Sequence, residues 1–389
     1  MKHLLIYPIL LLTFLACEKK AEIKLGPDEF RVFGTVEGLD SEFMLFDGRD
    51  ADGGRVFDTI WVENESFDFI GKVYELSHLN IWPQVKRVNK WVNDGKAYIP
   101  TPSAKFQFFA QAGDQVEFKG KISSFVEAYP SGTQANEDLA KLNAKTFPLT
   151  SRAGDLIVEW ENEADTSKHS AIEAQIKDTE AELLEHKRTF IKNHPNSTAT
   201  AWVLLDMTIR SEVEMDEIIA LFEGLDKSSL AEQSFYLTMD QRIEGYKQTA
   251  VGQPVPDFEA VDAVNGEAFS IKDQRGKYVL IDFWGIWCRP CVEEMPMLKS
   301  YQEKYENELV IVGINQGDTG NRITDFVKKH GYVWTQIMQQ EYGLVEKFSV
   351  AGYPTKLLID PEGKIIHRQL GDEGGILEVL DQRLSGESS

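Results

Sequence analysis

A chain of 389 residues with 42% apolar side chains is long enough and apolar enough for two or three packed domains. Its 63 acidic residues outnumber 41 lysines and arginines. The resulting formal charge of -22 argues against nucleic acid as a partner and against docking on an anionic lipid surface.

After a basic start at Met1-Lys2-His3, residues 4–12 form a short apolar core, and Thr13-Phe14-Leu15-Ala16-Cys17 ends it with a small residue before a cysteine. The core is too short to span a bilayer. The segment resembles a bacterial lipoprotein signal. That resemblance implies removal of residues 1–16, lipidation of Cys17 as the new N-terminus, and a place in the bacterial cell envelope at an inner or outer membrane. Residues 17–28 are then the lipidated cysteine and its tether.

Residues 29–128 alternate in the manner of strands: Phe30, Val32, Gly34 and Val36, then Ile60 and Val62, Phe67 and Phe69, Phe106 and Phe108, Val116 and Phe118. Turn signals at Asp47-Gly48, Asp52-Gly53-Gly54 and Gly113-Asp114 separate them. This pattern predicts an antiparallel β-domain, a sandwich or small barrel. Trp61, Trp82 and Trp91 either pack in its core or line a binding surface.

Residues 129–249 change to helical spacing, with Ile172, Ile176, Leu183 and Phe190 on one face. Ser170 with Glu173 reads as a capping box for a helix that stops at His194-Pro195, and Ser229 with Glu232 as a second box opening a helix over 230–246. The region reads as structural. It carries no glycine-rich phosphate loop and no Ser/His/Asp arrangement.

In residues 250–386 the run Tyr278-Val279-Leu280-Ile281-Asp282-Phe283-Trp284 reads as a buried strand of a parallel sheet, apolar on both faces apart from one acid. Trp287-Cys288-Arg289-Pro290-Cys291 follows. From Pro290 the apolar residues Met295, Leu298, Tyr301 and Tyr305 recur at helical spacing, so Cys288 faces a helix N-terminus. Unpaired N–H groups and the helix dipole favour thiolate there, Arg289 adds a cation, and such settings bring a cysteine pKa from about 8.5 into a range of roughly 3.5 to 7.5. Zinc is the competing use of two such cysteines. Cys17 is the only other cysteine, and none of the 7 histidines forms the closely spaced pair that completes a structural zinc site, so no metal is expected. Beyond the first helix, a strand over 309–314, helices near 323–330 and 342–348, a hairpin of 356–359 with 364–367 and a helix over 376–384 predict a mixed sheet with helices on both faces.

Lys277 through Gly285, Trp287-Cys288-Arg289-Pro290-Cys291 and Glu294-Met295-Pro296 together resemble the thioredoxin superfamily, in its TlpA/ResA-like envelope branch of AhpC/TSA-redoxin type. The likeness continues through Gly352-Tyr353-Pro354-Thr355, which looks like the cis-proline loop, to the turn at Asp360-Pro361-Glu362-Gly363. Upstream, Val251 to Phe258, with a hairpin signal at Asn265-Gly266, looks like the extra N-terminal piece of this branch. Residues 29–128 in turn resemble a β-domain that precedes thioredoxin domains in envelope lipoproteins.

The resemblance implies roles for individual residues. Cys288 is the exposed attacking thiolate and Cys291 resolves the mixed disulfide. Asp282 stands where thioredoxins keep a buried acid behind the resolving cysteine, and Glu294 where the tethered branch has its active-site glutamate. Glu293 and Glu294 cannot both face the thiols. Trp287, Arg289, Pro290, Tyr353 and Pro354 support the site, with Pro354, if cis, exposing neighbouring backbone groups to an extended substrate.

The expected whole is a multidomain α+β chain: an antiparallel β-domain, a helical middle region and a C-terminal thioredoxin-like α/β domain. It implies an envelope thiol:disulfide oxidoreductase, with the reductant or isomerase direction favoured. It exchanges with cysteine-containing envelope proteins, draws on an upstream thiol electron donor and needs no cofactor. Two other readings stand beside it: a binding lipoprotein whose redox domain is auxiliary, and a thiol-dependent peroxidase. A peroxidatic site needs a hydroxyl three residues before its cysteine and a proline four before that, and Gly285 and Ile281 hold those positions.

Overall fold

In the computed structural model, the residues described are 23–51, 54–371 and 375–384. Cys17 and the signal-like segment lie outside them. Ten strands come first: β1 Glu29–Glu37, β2 Phe43–Arg49, β3 Arg55–Trp61, β4 Ser66–Lys72, β5 Ser77–Pro83, β6 Lys90–Val92, β7 Ala97–Ile99, β8 Phe106–Ala110, β9 Gln115–Ile122 and β10 Val126–Ser131. Eight of them make two four-stranded sheets, β10-β9-β1-β4 and β3-β2-β5-β8, while β6 and β7 form a separate hairpin. The inward faces share one core in which Phe30 and Val32 of β1 meet Phe46 of β2 and Phe108 of β8, with ring centroids 5.9 Å apart for Phe30–Phe46 and 5.8 Å for Phe30–Phe108. This is the sandwich arrangement.

Within the two sheets every ladder is antiparallel except one, since β1 runs parallel to β9. A parallel pair needs a long crossover, and here the intervening chain supplies the whole opposite sheet. Gly34 sits at that ladder because a β-carbon there would lie 2.3 Å from the Phe118 carbonyl oxygen. Strand β10 carries the sheet to Ser131, past the expected boundary at 128. Its Pro130 is tolerated because β10 is an edge strand with no ladder hydrogen bond owed on its outer side.

The middle region contains α1 Gln134–Asn162, α2 His169–Asn193, α3 Thr198–Ile209, α4 Met215–Glu223, α5 Lys227–Leu230 and α6 Ser234–Gln248. Thr133 caps α1 by accepting the Asn136 N–H. Asn136 is fully buried and binds both backbone groups of Phe109 in β8, at 2.8 and 2.9 Å, stitching α1 to the sandwich. Neither expected capping box forms. Asp165 caps a short 3-10 turn over Thr166–Lys168 that runs directly into α2, so Ser170 has no free terminus to cap, and Glu173 instead accepts the Trp160 indole N–H at 3.2 Å. Asp226 likewise caps α5, and the longer helix waits until Ser234. Among the described residues no helix is long and apolar enough to cross a membrane.

The C-terminal unit follows as β11 Glu259–Val261, β12 Ala268–Ser270, β13 Tyr278–Trp284, α7 Arg289–Lys304, β14 Leu309–Asn315, α8 Gly320–His330, β15 Thr335–Met338, α9 Leu344–Lys347, β16 Thr355–Ile359, β17 Ile365–Leu370 and α10 Ile376–Leu384. Its five-stranded sheet has the order β15-β14-β13-β16-β17, parallel across β13-β14-β15 and antiparallel across β13-β16-β17. Leu280 and Trp284 face a layer that includes residues of α7, α8 and α10. Val279, Ile281 and Phe283 face the other way, where the β11–β12 hairpin and the short α9 form the cover in place of a second full helical layer.

Helix α6 is tied to this unit. Arg368 of β17 donates to Thr249 Oγ1 at 2.7 Å and to the carbonyls of Phe348 and Ser349, while Ser349 Oγ donates to the Arg242 carbonyl at 2.7 Å.

Candidate active site

Strand β13 delivers the chain to the site and decides which side chains share it. Leu280, Asp282 and Trp284 alternate onto the α7 face, so one carboxylate lies in a layer otherwise built from Trp284, Met295, Leu298 and the two cysteines. Trp284 is fully buried and donates its indole N–H to Gln336 at 2.9 Å. Gly285 follows the strand, and a β-carbon there would lie 2.4 Å from the Trp287 ring. Trp287 can therefore fold back over the turn, its indole N–H bonded to the Gln316 carbonyl at 2.8 Å.

Cys288 is the N-cap of α7. Its Sγ accepts the Cys291 N–H at 3.3 Å, its carbonyl accepts the Val292 N–H, and Pro290 occupies the first turn, where no intrahelical donor is missed. Cys288 and Cys291 are joined as a disulfide. The expected exposure of Cys288 does not hold in this oxidised form. The residue is 5% exposed and Cys291 1%, because the bond turns the first sulfur inward onto the helix end. Arg289 also departs from expectation. Its guanidinium is almost fully solvated and bound to Glu293 at 2.7 Å, while the N-terminus of α7 lies directly at Cys288.

Asp282 is 1% exposed, and neither of its oxygens has a hydrogen-bond partner. Its register partner on β16 is Lys356, which is equally buried. The ammonium stands 3.7 Å from Asp282 Oδ1, beyond hydrogen-bonding reach, and is itself bonded to Glu294 of α7. The two adjacent glutamates thus divide as expected: Glu294 turns in to Lys356 and Glu293 turns out to Arg289. Burial, reinforced by Glu294 and opposed by Lys356, pushes the Asp282 carboxyl from 3.8 up to about 6. Lys356 was not singled out from the sequence, although a lysine inside the apolar run Lys356-Leu357-Leu358-Ile359, directly after Pro354-Thr355, was a visible signal.

Pro354 is buried and its peptide bond with Tyr353 is cis. The Pro354 carbonyl accepts the Gly371 N–H at 2.8 Å, and Gly352's carbonyl accepts the Thr355 hydroxyl. Tyr353 between them has no main-chain hydrogen-bond partner among the described residues. Its ring meets Trp287 edge-on at 5.2 Å, and burial pushes its phenol up to about 12. Trp287 is 57% exposed, so indole and tyrosine frame an open edge beside the disulfide. No group of three or more His, Cys, Asp and Glu residues is placed to hold a metal among the described residues.

This arrangement can pass a pair of electrons between two sulfurs and a third, with a carboxylate behind the second sulfur to hold the proton. Known proteins are similar to the chain over this region. The model of the AhpC/TSA family matches residues 251–368. A thiol-disulfide oxidoreductase ResA from Bacillus cereus is 31% identical over 32% of this chain and 71% of its own length. The chain belongs to the ResA-type thiol-disulfide oxidoreductases. The ResA of Bacillus subtilis (strain 168) is 30% identical over 40% of this chain and 87% of its own length. Among solved structures, a thiol:disulfide interchange protein from Bacteroides sp. is 26% identical, covers 36% of this chain and 95% of its own, and has a TM-score of 0.33. In this ResA-type chain, the position three before Cys288 is Gly285, which offers a peroxide no hydroxyl.

Lys356→Met tests the buried cluster. Removing the cation that pulls the Asp282 pKa down is expected to move the acid limb of the pH–rate profile for mixed-disulfide resolution above 6. It should also cost about 3 to 5 kcal/mol of stability by stranding buried carboxylates. An unmoved profile would detach Lys356 from the proton chemistry.

Proposed function

We propose that the chain is a lipid-anchored oxidoreductase of the bacterial envelope that reduces or isomerises disulfides of other envelope proteins through Cys288 and Cys291. The observation carrying this reading is the stack of Cys288 at a helix N-terminus, Cys291 in the buried layer behind it, and Asp282 in that same layer with no hydrogen-bond partner. In the reduced form the Cys288 thiolate attacks one sulfur of a substrate disulfide and the other leaves as thiolate. The substrate's extended chain pairs with the open backbone at Tyr353, beside Trp287. Cys291 then gives its proton to Asp282 and attacks Cys288 Sγ, releasing the second substrate sulfur as thiolate and closing the Cys288–Cys291 disulfide. Asp282 returns the proton when an upstream dithiol reduces the pair. Glu294 takes part through Lys356, as the counter-charge that keeps the ammonium from neutralising Asp282 fully.

Reduction of a protein disulfide by the wild type and by each cysteine variant tests the redox reading. The anchor has its own test. Cys17→Ser is expected to abolish lipidation and move the protein from the membrane to the soluble fraction. A wild-type chain without lipid, with Cys17 a free thiol behind an intact leader, would end the envelope reading.

A further inference from the structure

Between the sandwich and the middle helices lies a cavity of about 300 Å³ that the redox chemistry does not use. One part of its wall is apolar, with Ile99 and Pro102 from the sandwich side facing Leu142, Phe147 and Ile157 of α1. A broader hollow of about 900 Å³ shares His78, Asn80, Trp202 and Asp206 with it and reaches a rim where Ile209 is 50% exposed.

The polar part of the wall carries both signs: Lys187 is bonded to Glu212 and Arg210 to Asp206, while Glu180 and Lys105 also line it. Lys105 lies with its ammonium 4.0 Å from the centroid of the Trp82 ring and has no ion pair among the described residues. Arg210 is near enough to depress the Lys105 pKa, second only to burial as a cause, and is itself held by Asp206 at 2.9 Å. His78 stacks on Trp202 with ring centroids 3.9 Å apart and meets Phe109 edge-on at 5.4 Å, so its ring is fixed. Its Nε2 is buried without a hydrogen-bond partner. Burial, then Lys105 and Arg210, push the imidazole down to about 3, so it is a neutral group able to donate one N–H.

The carboxylates nearest the Lys105 ammonium, Asp47 and Asp206, are each bonded to an arginine instead, and an ammonium without a close partner and an imidazole nitrogen without one both cost free energy when removed from water. Both are answered by an anion, in a protein whose formal charge of -22 otherwise repels anions. The apolar wall adds room for a body of matching chemistry, and the volume suits a small organic molecule.

We propose that this cavity binds an apolar organic carboxylate, its carboxylate held by Lys105, Arg210 and His78 and its body packed against Leu142, Phe147 and Ile157. The site stands at the seam of the two N-terminal regions and is independent of the proposed redox function.

Octanoate, with octanol and octylamine as controls, is the probe, titrated into the full chain by calorimetry. Octanoate is expected to bind at least about tenfold more tightly than octanol, the margin one charge-assisted hydrogen bond provides. Lys105→Met should bring octanoate to the level of octanol while leaving disulfide reduction by Cys288 and Cys291 unchanged. Arg210→Gln should weaken binding in the same direction, and both variants are checked for an unaltered melting transition. In the wild type, octanoate should also shift the imidazole nitrogen resonances of His78, a readout that needs no variant. Equal affinity for octanol, octanoate affinity unaffected by a folded Lys105→Met, an unmoved His78 signal, or no binding of any probe at millimolar concentration would each overturn the proposal.

Discussion

Cys288→Ser is expected to reduce the rate of protein-disulfide reduction to the uncatalysed background, while Cys291→Ser is expected to keep the first attack and stop at a covalent complex. The asymmetry follows from position. Cys288 caps α7 and its sulfur accepts a helix N–H, the setting that favours thiolate, whereas Cys291 lies one turn into the helix, 1% exposed. A thiolate attacks readily and a buried thiol does not until something takes its proton. With a substrate held in excess, the Cys291→Ser variant should accumulate one equivalent of mixed disulfide through Cys288, seen as an adduct by non-reducing electrophoresis and mass spectrometry. Accumulation with Cys288→Ser instead would reverse the two roles.

The second large effect belongs to Asp282. Asp282→Asn is expected to slow resolution of the mixed disulfide by about 100-fold or more near neutral pH, the scale of a positioned general base, with little effect on the first attack. With its carboxyl raised to about 6, Asp282 is ionised and able to accept a proton above that pH and is protonated below it. Wild-type resolution should therefore fall as pH drops through about 6. In the asparagine variant that limb disappears, and the rate should climb with pH toward the range in which a thiol ionises unaided, about 8.5.

The same group carries a stability signature of opposite sense to its kinetic one. Its folded pKa lies above the ordinary value of 3.8, so the native state binds the proton more tightly than the unfolded chain, and stability falls as pH rises between about 4 and 6. The gap of roughly two pH units is worth up to about 3 kcal/mol. Asp282→Asn should thus be more stable than wild type at pH 7 and nearly equal to it at pH 4. A variant that loses both activity and stability at pH 7 would mark Asp282 as structural.

Much of this site was legible because its chemistry leaves marks at short range. The run from Tyr278 to Trp284 is apolar enough to be a central strand, the lone acid within it stands out, and Cys288-Arg289-Pro290-Cys291 carries both the nucleophile and a helix start. What escaped the sequence depends on distant pairings. Strand β15, Thr335–Met338, is a four-residue element whose identity comes from lying beside β14, and no local alternation announces it. Lys356 gains its meaning only from standing opposite Asp282 across an antiparallel ladder, 74 positions away by their numbers. The parallel β1–β9 ladder joins strands separated by all four strands of the opposite sheet. The capping boxes at Ser170 and Ser229 failed for a local reason of another kind: Asp165 and Asp226 stand a few residues earlier and cap a preceding turn first.

Arg289 is next to Cys288 in sequence, yet its guanidinium is exposed and paired with Glu293. Glu293, four residues on, is its natural partner across one helical turn.

The proposed function requires that the Cys288/Cys291 pair exchange with cysteines of other proteins in the cell. Its most direct test is to express Cys291→Ser in the native host, quench thiols with acid, and identify by mass spectrometry the peptides disulfide-linked to Cys288. Linkage at Cys288 to cysteine peptides of envelope proteins is expected, absent from a Cys288→Ser, Cys291→Ser control. Recovery of Cys288 as a free thiol with no protein partner, or joined only to small thiols, would contradict it.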